Sequence, residues 1–113
     1  MPPHYPLNEV KRLLNLGHVR IKDNAVNTAW NNFGWRTGEI IKCLLKLNCK
    51  DHVANPRTNH FYKKAPHDRI PNTMMDYYKA VKIMEGQSVY THFYIDYIDS
   101  ESQVLVISSF KRL

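Results

Sequence analysis

Cysteine is scarce in this 113-residue chain: there are two, Cys43 and Cys49, and neither stands in a CxxC or a Cys/His zinc spacing. A disulfide framework and a zinc ribbon are therefore not expected, and reduced structural thiols are. The six histidines do not supply a metal set either, because His52, His60 and His67 fall at no ligand spacing; neither metal nor cofactor is expected. The opening MPPHYPLNEVKR has no apolar centre, so it does not read as a signal peptide. No apolar run approaches membrane-spanning length, which together with the thiols implies a cytoplasmic protein with no membrane partner. Acid is also in short supply, with 10 Asp and Glu against 16 Lys and Arg and a net charge of +6. Such a surplus points to an anionic partner, nucleic acid first, although a soluble domain can also simply be basic.

What is present suits one domain over residues 1–113, with no repeat or linker. Asn8 is a candidate cap for a helix carrying Val10, Leu13 and Leu14, which Gly17 ends. His18 to Lys22 alternates like a short strand. A second helix opens at Asp23 with Ala25, Val26, Ala29, Trp30 and Phe33 along its stripe, so Trp30 and Phe33 are expected in the core. A third opens at Thr37 with Ile40, Ile41, Cys43, Leu44 and Leu45 inward. Residues 49–59 read as loop, His60 to Lys64 as a short strand, 65–73 as loop, and Met74 to Met84 as a longer strand. Helices first and strands afterwards predict an α+β fold, short N-terminal helices packed on a C-terminal antiparallel sheet.

The last quarter is organised as a hairpin, Ser88 to Ile98 and Gln103 to Lys111. Alternation puts Tyr90, His92 and Tyr94 on one face and Val89, Phe93 and Ile95 on the other. A four-residue loop, 99–102, sets Tyr90 opposite Lys111 and His92 opposite Ser109, whereas a five-residue loop pairs Tyr90 with Phe110 and turns Lys111 away. The first register gathers a phenol, an imidazole and an ammonium on an exposed face. Without further information these are also what ordinary solvated cross-strand pairs look like.

Several segments in order, PHYPLNEVKRLLNLGHVR, FYK at 61–63, MDYY, GQSVY at 86–90 and SFK at 109–111, resemble the motility quorum-sensing regulator (MqsR) family of toxins. The resemblance runs from about Pro3 to Lys111. It implies a RelE-type fold and a metal-independent endoribonuclease, an mRNA interferase cutting messenger RNA at short GC-containing sequences. It also implies inhibition by a co-encoded antitoxin with a zinc-binding N-terminal domain and a helix-turn-helix C-terminal domain. Three of the family's active-site positions carry over as Lys63, Tyr90 and Lys111. The family's glutamine position falls on Met75, which bears on substrate orientation or base preference, and Ser88 is an insertion.

Metal-free cleavage sends the ribose 2′-oxygen onto the adjacent phosphorus and leaves a 2′,3′-cyclic phosphate. It needs a proton acceptor, cations for the phosphorane and a donor for the leaving oxygen. Lysines serve as the cations, and they are expected to lower the Tyr90 phenol toward a usable base. His92, on the Tyr90 face, is a candidate acid or base by alternation alone. Lys64, Lys82 and Arg112 are candidate RNA contacts, with Lys79, Arg57 and Arg69 as further generic ones. The competing reading is a module that stacks RNA or DNA on a basic, tyrosine-rich face without cutting, or one that mainly holds the antitoxin.

Overall fold

A computed structural model describes residues 2–48, 60–99 and 101–113. Cys49, His52 and Arg57 lie outside the described residues. Three helices, α1 (Leu7–Leu16), α2 (Asp23–Phe33) and α3 (Thr37–Leu44), pack on a five-stranded sheet. Its strands are β1 (Val19–Ile21), β2 (Phe61–Pro66), β3 (Met74–Met84), β4 (Gln87–Tyr97) and β5 (Gln103–Arg112). They lie in the order β1-β5-β4-β3-β2. The fold is α+β, and the sheet is mixed. Neighbours are antiparallel except β1, which runs parallel to β5, with Val19 beside Leu105 and Ile21 beside Ile107. The wholly antiparallel expectation fails at this edge. A strand lodged between α1 and α2 enters the sheet by a helical crossover rather than a hairpin, and crossovers deliver parallel pairs.

Local chemistry explains the element ends. Gly17 and Gly34 take positive φ, 75° and 71°, and close α1 and α2 with left-handed caps. The N-cap of α1 is Pro6 rather than Asn8, which lies inside the first turn. Proline fixes the extended entry there without a side-chain hydrogen bond. Glu85 and Gly86, at φ 52° and 72°, make a two-residue turn from β3 to β4 of the type whose twist matches that of its strands.

The helices cover one sheet face, where Tyr78, Val89, Phe93, Leu105, Ile107 and Phe110 are fully buried against Val10, Leu13, Ile40 and Leu44. Each such side chain contributes about 1.5–3 kcal/mol of transfer free energy before the entropy of ordering it. In α2 the residues lost to solvent are the small ones, Ala25 and Ala29, which let the helix sit close to β5. Trp30 is not in the core: it is 53% exposed, with the Arg36 guanidinium 5.3 Å from its ring centre. The buried tryptophan is Trp35, 4% exposed, stacked on the partly buried Phe33 at 4.4 Å. Its indole N–H donates to Glu85 Oε2 at 2.9 Å.

Asp76 anchors the N-terminal segment from within the sheet. Fully buried, its carboxylate accepts the backbone N–H groups of His4 and Tyr5 at 2.9 and 2.8 Å. Burial is the larger influence and raises its pKa, while those two bonds and the nearby Lys64 pull it down.

Candidate active site

The opposite sheet face carries the chemistry, and a bulge in β5 decides its composition. From Tyr97–Gln103 back to Phe93–Ile107 the β4–β5 ladder follows the register of the five-residue loop. Between Phe93 and His92 the register shifts, leaving Ser108 as the extra residue, and beyond it the pairs are His92–Ser109 and Tyr90–Lys111. The pairing expected from a four-residue loop is thus present, but the bulge produces it rather than the turn. Without the bulge the alternation would carry Lys111 to the helix side. The α2 helix supports the irregularity: Asn24 donates its amide to the Ser108 carbonyl at 2.9 Å, and Thr28 its hydroxyl to the Phe110 carbonyl at 2.6 Å.

Two rows of side chains cross this face. One runs Lys63–Tyr77–His92–Ser109 and the other Lys79–Tyr90–Lys111. The Lys63 ammonium lies 5.0 Å from the Tyr77 ring centre, and the Lys111 ammonium 5.2 Å from that of Tyr90. Tyr77 stands between them, 4.8 Å from the His92 ring and 6.4 Å from the Tyr90 ring, and Tyr90 and His92 are 5.8 Å apart. Lys63, Tyr90, His92 and Lys111 are therefore brought together on one face, from β2, β4 and β5. Among the described residues, the ion pairs within 4 Å involve none of Lys63, Lys79 and Lys111.

The other candidate RNA contacts sit elsewhere. Lys64 pairs with Asp76 and so follows the helix-side alternation. Arg112 pairs with Val89, donates through its guanidinium to the Asn32 carbonyl and lies against the Phe33 ring. Lys82 is exposed where the β3–β4 ladder breaks, between Ala80 and Met84. Lys79 belongs to the site, with its ammonium 3.8 Å from the centre of the half-exposed Tyr62 ring. Tyr62 and Tyr77 were missed by sequence reasoning, although alternation along β3 (Met75, Tyr77, Lys79) is the same signal that singled out β4.

The electrostatics revise the expected roles. Burial, and then Tyr77 and Tyr62, raise the Tyr90 pKa, so the lysines do not make this phenol a base. It remains a hydroxyl that donates. Burial pushes the His92 pKa down to about 4, reinforced by Lys111 and His67 and opposed by Asp68. The imidazole is neutral at pH 7 and can accept a proton, weakly.

The face is also less open than alternation suggests. Tyr94, on the same side, is buried beneath the edge of the His67 ring at 5.5 Å. The 67–73 loop stands over that end and walls two clefts. The larger, about 800 Å³, lies between this loop and the His4–Tyr5 segment and touches none of Lys63, Tyr90 and Lys111. The smaller, about 710 Å³, opens beside Tyr77 and His92 and has Met75 in its lining. Neither cleft is lined by Lys63, Tyr90 or Lys111, but the second adjoins their face through Tyr77 and His92, and the candidate site centres there.

Among the described residues no three His, Cys, Asp or Glu side chains converge as a metal site, and no helix is long and apolar enough to cross a membrane. Cys43 is buried and its thiol is pushed up to about 12 by desolvation, which suits a packing role. The chain matches no protein-family model and no curated protein.

Proposed function

We propose that the protein is a metal-independent endoribonuclease that cuts single-stranded RNA on the Lys63–Tyr90–Lys111 face, an mRNA interferase of the MqsR kind on a RelE-like fold. The observation that carries this reading is that those three side chains, from three strands, share one sheet face with His92, whose ring lies 5.8 Å from that of Tyr90 and 4.8 Å from that of Tyr77, which Lys63 flanks. The Lys63 and Lys111 ammoniums hold the scissile phosphate and stabilise the charge that grows on the phosphorane. Neutral His92 takes the 2′-hydroxyl proton as the new P–O2′ bond forms. Tyr90 gives its phenolic proton to the 5′-oxygen as the P–O5′ bond breaks, which yields a 2′,3′-cyclic phosphate and a 5′-hydroxyl. Solvent exchange afterwards returns a proton to Tyr90 and removes one from His92. An antitoxin of such an enzyme would silence it by covering or distorting this face.

The test is incubation of purified protein with a defined RNA in EDTA, followed by mapping of the ends. Cyclic phosphate and 5′-hydroxyl termini are expected. Intact RNA would overturn the proposal. One observation favours a second reading, a non-cleaving nucleic-acid module: with the Tyr90 phenol raised and the His92 imidazole lowered, the face lacks a strong base at neutral pH. Intact RNA bound at micromolar protein would be its signature.

A further inference from the structure

The bulge that turns Lys111 outward also leaves a polar remainder. Among the described residues, Ser108 Oγ and His92 Nδ1 are both buried and have no hydrogen-bond partner. Buried polar atoms are almost always paired, so two orphans in the lining of one cleft need an explanation. The backbone of the bulge is not the cause, since its carbonyl takes the Asn24 amide.

The cleft around them has a definite chemistry. Its floor is formed from β3, β4 and β5, with the Tyr77 and His92 rings inclined at 41° and the Met75 side chain beside them. Lys22 and Arg69 bring cations to its lining and Asp68 one carboxylate, which leaves the cations in excess. At about 710 Å³ it falls in the range of about 300–1,000 Å³ common for small-ligand sites. Flat aromatic walls, an unbranched thioether, two unpaired polar atoms buried just behind the lining and cations in one concavity suit a nucleobase together with its phosphate.

We propose that this cleft is the base-reading subsite for the nucleotide next to the cut, an inference that rests on the RNA-cleaving reading. The base lies against the Tyr77 ring. Its hydrogen-bonding edge meets Ser108 Oγ and His92 Nδ1 once the flexible Met75 side chain turns aside. Lys22 and Arg69 take the neighbouring phosphate without regard to sequence. A hydroxyl and an imidazole nitrogen discriminate among bases because a wrong edge leaves one of them buried and unpaired.

Protein labelled with [13C]methyl-methionine, with the Met75 resonance assigned through Met75→Leu, is titrated with the four nucleoside 3′-monophosphates. In parallel the same protein is given random-sequence RNA and the cut sites are read. The Met75 methyl should shift, with one nucleotide binding at least about tenfold more tightly than the weakest. Ser108→Ala should erase that preference and flatten the cut-site profile at one position, while Lys22→Gln should weaken all four nucleotides alike. A Met75 methyl unmoved by every nucleotide, or a Ser108→Ala that weakens all four equally, would overturn the subsite. RNA cut with Met75 unmoved removes the subsite and leaves the nuclease. Met75 responding while RNA stays whole supports the nucleotide subsite and removes the nuclease.

Discussion

At the scale of single residues the proposed RNA-cleaving site depends on which protonation state each group holds. On the proposed mechanism, replacing Lys63 or Lys111 by alanine removes a cation from where phosphorane charge would develop, so cleavage should fall about a hundredfold or more. The fold should hardly notice, because exposed sheet lysines contribute little to stability; single-turnover rates alongside thermal melts check both halves. A second expectation concerns pH and stability. Folding lowers the His92 pKa from its ordinary 6.5 to about 4, and burial lowers that of His60 as well. Below 6.5 the unfolded chain therefore binds protons that the folded one refuses. The two imidazoles should make stability rise with pH across the window from about 4 to 6.5 and level off above it, while Asp76, whose pKa folding raises, acts in the opposite sense above its ordinary 3.8. Chemical denaturation at stepped pH should show this slope, and His92→Gln should flatten part of it. A slope unaffected by that substitution would mean that the imidazole is as accessible to protons folded as unfolded.

At the scale of elements, β3 and the β4–β5 hairpin were legible in the chain because β-branched and aromatic residues run through them and Glu85-Gly86 marks the turn between β3 and β4. The partner of β1 was not legible, since three residues carry no information about which strand edge they cover. In α2 the apolar stripe was read too broadly. A 100° step separates Trp30 from Ala29, enough to move a large ring from the sheet to the helix flank, and the two alanines are the residues of α2 that are fully buried. Trp30→Ala should consequently cost less than about 1 kcal/mol, whereas Trp35→Ala, which empties a buried stack, should cost about 3–5 kcal/mol. Urea unfolding of the pair decides it, and equal losses would contradict this packing. The bulge had one trace in sequence, the adjacent polar pair Ser108-Ser109 inside an otherwise apolar strand. Because Ser108 is the surplus residue, deleting it should straighten the ladder and still leave Tyr90 opposite Lys111. Cross-strand backbone NOEs between those two should survive the deletion. Their replacement by Tyr90–Phe110 NOEs would show that the extra residue lies elsewhere.

At the scale of the whole molecule, the net charge of +6 says only that polyanions are attracted, whereas the sheet face is what the proposal adds as their place. Lys63, Lys79 and Lys111 share one face with four rings, Tyr62, Tyr77, Tyr90 and His92, and the described ion pairs neutralise none of the three. Lys64 and Arg112 follow the alternation to the other side, against Asp76 and α2. A chain that bound RNA by diffuse charge would weaken by a similar small amount when any one of these cations was removed. A chain that binds on this face should instead show a division. If the three lysines each meet a phosphate, the logarithm of the binding constant for single-stranded RNA should fall with the logarithm of salt at a slope of about −2, near −0.7 for each phosphate engaged. Lys79→Gln should make that slope shallower by about 0.7 and weaken all sequences alike. Lys64→Gln should leave the slope where it was. Fluorescence anisotropy of a short uncleavable oligonucleotide across a salt series measures all three proteins on one scale. Equal slopes for the two variants would return the charge to the surface at large and remove the reason for siting RNA on this face.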